Sequence, residues 1–119
     1  PRKLDALAGH CERLGRDRSE IAMSQHLNVC IAETHEGAYA EMGSFLAARG
    51  LDLDNMDAGL REQILAMVIW GSPDEVGERL TAVMDAGVDG ITCSLPGNGW
   101  NPERVELLGA TASKVVAGR

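Results

Sequence analysis

The stretch from Gly71 to Leu95 constrains the fold most, because it spells out a helix, both of its ends and the strand behind it. Ser72 is a good N-cap: its hydroxyl can accept a bond from a backbone N–H that the helix leaves unpaired. Pro73 fits the first helical position, where a missing N–H costs nothing. Glu75, three residues after Ser72, completes the pattern of a capping box. Val76, Leu80, Val83 and Met84 recur at helical spacing and form one apolar stripe. Gly87 can take the left-handed conformation that closes a helix. Ile91, Cys93 and Leu95 then alternate with Thr92 and Ser94, as in a strand. A helix that runs through a few residues into a short strand is half of a βαβ unit, so the sheet is expected to be parallel.

The rest of the chain reads in the same terms. Leu4, Leu7, Ala8, Cys11 and Leu14 form the stripe of a first helix, from residue 1 to about 15, closed by Gly15. Glu20 to Glu33 reads as one long strand with two unlike faces. Ile21, Met23, Gln25, Leu27, Val29 and Ile31 fall on one side, and Ala22, Ser24, His26, Asn28, Cys30 and Ala32 on the other. The second face is small or polar yet uncharged, which suits a barrel interior close to a ligand better than a solvated surface. Thr34 caps a helix predicted over 35–49, and another is expected over 56–69, broken by Gly71. Asn101 and Pro102 open the last helix. The expected class is α/β, with about two parallel strands and five helices over residues 1–119. Two strands are too few for a closed domain, since sheets usually have about 4–6. A single partial domain is therefore expected, completed by further chain or by self-association into a homo-oligomer.

Composition excludes several functions. The formal net charge of −7 argues against nucleic acid, which needs clustered Lys and Arg. The longest apolar run, Ile64 to Trp70, is too short to span a bilayer. The opening Pro1 to Asp5 shows no signal-peptide pattern, so a cytoplasmic location is expected. Cys11, Cys30 and Cys93 are widely spaced and lack a Cys-x-x-Cys pair, so they are expected to be reduced, buried thiols and not metal ligands.

Three segments together resemble the luciferase-like monooxygenase family. They are Leu4 to Ile21, including His10-Cys11-Glu12-Arg13-Leu14-Gly15-Arg16-Asp17; Gly71-Ser72-Pro73-Asp74-Glu75-Val76 with Glu78-Arg79-Leu80; and Ala86-Gly87-Val88-Asp89-Gly90-Ile91. The order and spacing of the segments carry the resemblance, which extends over essentially the whole chain and points to the deazaflavin-dependent branch. It implies the C-terminal part of a (β/α)8 barrel of the TIM type, with residues 20–33 and 88–95 as its seventh and eighth strands. It also implies an oxidoreductase that transfers hydride between a cofactor, 8-hydroxy-5-deazaflavin or FMN, and an organic substrate. The glycine-rich phosphate loop of such proteins lies upstream of the matched stretch, so this chain alone is expected to bind no cofactor and to be inactive. The alternatives are a non-catalytic module that completes its sheet with another chain, and a self-contained α/β binding domain.

Candidate chemistry is sparse. His26, Asn28, Thr92 and Ser94 share one side by strand alternation, and they are the expected pocket lining. His26 could move a proton, since imidazole titrates near neutrality, or could simply be a hydrogen-bonded core residue. No catalytic residue and no metal ligand set is assigned. Cys93 falls on the aliphatic side, with no base beside it. Gly97-Asn98-Gly99 reads as a turn, with anion binding as the other use of such a motif. Trp70 and Trp100 read as packing residues at element ends, and His10 and His35 as exposed helix residues.

Overall fold

A computed structural model describes residues 2–119. Five helices and three strands follow in the order α1 (Arg2–Leu14), β1 (Ser24–Ile31), α2 (His35–Ala47), α3 (Ala58–Ala66), β2 (Ile69–Gly71), α4 (Pro73–Asp85), β3 (Gly90–Ser94) and α5 (Pro102–Ala117). The strands form one parallel sheet in the order β2-β1-β3.

The cap signals hold. The Ser72 N–H donates to Glu75 Oε2 at 2.8 Å, and the capping box is formed at the start of α4. That backbone N–H holds the Glu75 carboxyl below its ordinary pKa, with His35 adding a smaller pull. Thr34 Oγ1 accepts from Gly37 N at 3.0 Å, and Asn101 Oδ1 from Glu103 N at 3.1 Å. Replacing Ser72 by Ala is expected to lower stability by about 0.5–1 kcal/mol, the low end for an N-cap, because alanine keeps the N–H that Glu75 holds. Urea unfolding followed by circular dichroism measures it, and an unchanged midpoint would show that the hydroxyl caps nothing.

Three expectations about the secondary-structure elements are corrected. The sheet has three strands, not two, because the helix expected to reach residue 69 ends at Ala66 and Ile69–Gly71 pairs with β1. A short apolar run does not declare its period; Val29, Cys30 and Ile31 of β1 decide the matter by pairing with Ile69, Trp70 and Gly71. The strand expected over 20–33 is shorter, since Asp17 accepts from Ser19 N and caps a 3-10 turn over Arg18–Glu20. The helix after Thr34 stops at Ala47 instead of residue 49.

The two faces of the sheet are packed differently. On the aliphatic face, Val29, Ile31 and Ile69 are buried against Val76 and Leu80 of α4 and Leu108 of α5. On the other face, Cys30 is buried with Met42 of α2 and Leu53, and Ile64, Val68 and Trp70 pack against them. Helices therefore lie on both faces, but α2 and α3 cover only the C-terminal end of the polar one. Trp70 packs against His35 and Tyr39 in tilted ring pairs, with centroids 4.7 and 5.6 Å away, in keeping with a packing role. Trp100 does not pack: it is 80% exposed. Cys11 and Cys30 are buried as expected, whereas Cys93 is exposed, because β3 is an edge strand that α5 only partly covers.

The chain is open for its mass. A 12.7 kDa protein should expose about 6,200 Å², yet this one exposes 7701 Å². Its radius of gyration is 16.8 Å, against about 13.5 Å for a compact chain of this length. The excess is about 1,500 Å² by that scaling, and the sheet is also unfinished. β3 pairs only with β1 among the described residues, and β2 covers only positions 29–31 of β1, so both edges carry free backbone groups. Beside β3, Ile91, Cys93 and Leu95 face Val105 and Ala112 of α5 across an open trough. Among the described residues no helix is long and apolar enough to cross a membrane.

Candidate functional site

Strand pairing brings the expected site residues together. In the β1–β3 register His26 lies opposite Thr92, and Asn28 opposite Ser94. All four side chains stand on the polar face. The His26 ring bridges the strands, with Nδ1 3.1 Å from Thr92 Oγ1 and Nε2 3.1 Å from Ser94 Oγ. His26 is thus hydrogen-bonded but exposed, not a core residue. Asn28 and Thr92 are exposed too, and Ser94 is half-buried. The Asn28 amide makes no hydrogen bond among the described residues.

This row can hold or pass a proton. Neutral imidazole carries one N–H and one bare nitrogen, so one hydroxyl accepts from the ring and the other donates to it. On protonation both nitrogens donate, and each hydroxyl can turn to accept. Both contacts therefore survive the change of charge. The row contains no cation and no carboxylate. Among the described residues no group of His, Cys, Asp and Glu is arranged to hold a metal ion.

Beyond the row, at the C-terminal end of the strands, lies a clasp that sequence reasoning missed. Arg104 of α5 grips Glu41 of α2 through Nε, 3.0 Å from Oε1, and Nη2, 2.6 Å from the same oxygen. Asn98 Nδ2 donates to Glu41 Oε2 at 2.9 Å. The Arg104 and Glu41 side chains are only 17% and 29% exposed, so the pair is partly desolvated, and Glu41 raises the Arg104 pKa. Gly97 lies under the Phe45 ring at φ 79°, and a Cβ there would sit 2.7 Å from Phe45 Cδ2. Both conditions require glycine. The Gly97-Asn98-Gly99 turn is therefore a packed turn, and the Glu41 carboxylate beside it disfavours an anion. Nothing local to Glu41 or Arg104 in the sequence signals a partner 63 positions away.

The Cys30 thiol donates to Ala38 O at 3.4 Å, and burial, with Glu41 nearby, pushes its pKa up to about 11. Partial desolvation beside α5 also raises the Cys93 thiol, although its side chain is exposed. Neither cysteine is a thiolate near neutrality. Comparison of the chain with family models, curated proteins and solved structures finds no match.

Proposed function

We propose that this chain is the C-terminal part of a luciferase-like oxidoreductase that uses deazaflavin or flavin, to which it contributes adjacent strands, their covering helices and a stretch of pocket wall. The observation that supports the reading is the contrast between the two faces of the β1–β3 pair. The aliphatic face lies under α4 and α5, as the outside of a barrel strand lies under its helices. The other face presents His26, Asn28, Thr92 and Ser94 together and uncharged, as a barrel interior near a ligand does. On this reading α2 and α3 are an insertion over the C-terminal mouth, and the free edge of β1 before residue 29 receives a further strand.

The polar row fits the ring of such a cofactor, which imidazole, amide and hydroxyl groups can contact. It does not fit the phosphates, since it offers no cation and the one glycine turn nearby is filled by Phe45. When bound, the cofactor supplies hydride transfer. His26, held between two hydroxyls, would take up or deliver the accompanying proton at Nδ1 or Nε2, and Asn28 would orient a polar group of the ligand.

Titrating this chain with FMN or the deazaflavin coenzyme, followed by fluorescence, is expected to show no saturable binding in the low micromolar range, about −8 kcal/mol. A polypeptide that also carries six upstream βα units is expected to bind. Tight stoichiometric binding by this chain alone would place the phosphate site within it and overturn the assignment. The second reading, a non-catalytic module that completes its sheet with another chain, is favoured by the free edge of β3 and the apolar trough beside it. A coding sequence upstream of Pro1 without βα units would make it the better one.

A further inference from the structure

At the C-terminal end of the sheet the chain leaves β1 toward α2 on one face and leaves β3 toward α5 on the other. Divergent exits of this kind open a crevice, and in parallel α/β sheets ligands bind in such crevices. Here the crevice contains a cavity of about 250 Å³. Its walls are Asn28 and Cys30 of β1, Met42 and Phe45 of α2, Val68 before β2, and Pro96 after β3. The Glu41–Arg104 clasp and the Gly97–Phe45 contact hold the Pro96 wall in place.

We propose that this cavity binds a small, uncharged, mostly apolar molecule, a single ring or branched alkyl group carrying one hydroxyl or carbonyl, with that group bonded to the Asn28 side-chain amide. Three observations select this class. First, no ionised group lines the cavity: the Cys30 thiol is protonated and already donates to Ala38 O. Second, the lining is mostly apolar: besides the Asn28 amide and the Cys30 thiol, which already donates to Ala38 O, no polar side chain lines it, so water there gains few bonds from the walls. Third, the size fits. A dry apolar cavity of about 150 Å³ admits benzene, so this one has room for a ring and a substituent. Asn28 supplies the fixed polar contact that such sites use to orient a ligand. The cavity is built by this chain alone and does not depend on whether further strands close the sheet.

Amide chemical-shift mapping of the isotope-labelled chain tests this with three probes: benzyl alcohol, toluene and benzoate. Benzyl alcohol is expected to saturate with a Kd on the order of 1 mM, fitting for so few atoms. Its shifts should be confined to residues around 28–30, 42–46, 68 and 96–97. Toluene should bind there several-fold more weakly, and benzoate not at all. Asn28→Leu should remove the preference for the alcohol over toluene. Val68→Phe should fill the cavity and abolish both without lowering the unfolding midpoint. Linear, scattered shifts with benzyl alcohol, or saturation at another place, would overturn the proposal. So would benzoate binding as tightly as the alcohol. The wild-type mapping alone decides the question if Val68→Phe fails to fold.

Discussion

Replacing Leu80 by Ala is expected to destabilise the fold by about 2–5 kcal/mol, the transfer cost of the lost methyl groups plus that of the cavity they leave. Leu80 is 2% exposed and sits among Val29, Ile31, Ile69, Val76 and Leu108, where α4 closes over the aliphatic face. Domains of ordinary size have only about 5–15 kcal/mol of net stability. This chain divides its interior between two small clusters on opposite faces, so neither has reserve to spare. Urea unfolding at one fixed protein concentration is expected to show a markedly lower midpoint for the variant. Leu80→Met, which conserves volume, should lose less than about 1.5 kcal/mol. A loss below about 1 kcal/mol for the alanine variant would mean that α4 does not close the core.

The second large effect concerns assembly. The chain is expected to associate reversibly in solution, or to bind a separately supplied barrel portion. The exposed surface, 7701 Å², exceeds by about 1,500 Å² the area that a protein of this mass should show. An interface of standard size covers about 800 Å² on each partner, so the excess is enough for one. A place for such an interface exists where the backbone of β3 is unpaired and the trough against α5 is apolar, since unpaired edges recruit other strands. Sedimentation equilibrium over a wide concentration range is expected to show a species larger than the monomer at low micromolar concentration. Cys93→Lys should shift it toward monomer, because a lysine on an edge strand opposes pairing, while leaving the core untouched at this exposed site. A monodisperse monomer that unfolds cooperatively would sink the idea and favour a self-contained α/β domain.

The candidate site was legible in part. Strand alternation placed His26, Asn28, Thr92 and Ser94 on one face, and the pairing of β1 with β3 put them side by side. That His26 would bond both hydroxyls depended on register, which places position 26 opposite 92. One residue of slip would have carried every side chain of β3 to the other face. The cavity and the clasp left no trace in the sequence, because Phe45, Pro96, Glu41 and Arg104 become neighbours only once α2 and the loop after β3 meet over the strand ends.

The division between sequence and tertiary structure follows the range of the forces. The sequence by itself determined what is settled within one turn or one strand. Ser72 with Glu75, Thr34 and Asn101 start their helices through bonds spanning two or three residues, and alternation along β1 and β3 separates an aliphatic face from a polar one. The tertiary structure decided whether Ile69–Gly71 continued a helix or became a strand, which end of the polar face is covered, and that Cys93 and Trp100 are exposed. It also joined His26 to Ser94 across 68 positions and Glu41 to Arg104 across 63. Contacts at such separation are selected by the packing of whole elements, because a local pattern states which side a residue faces but not what it meets there.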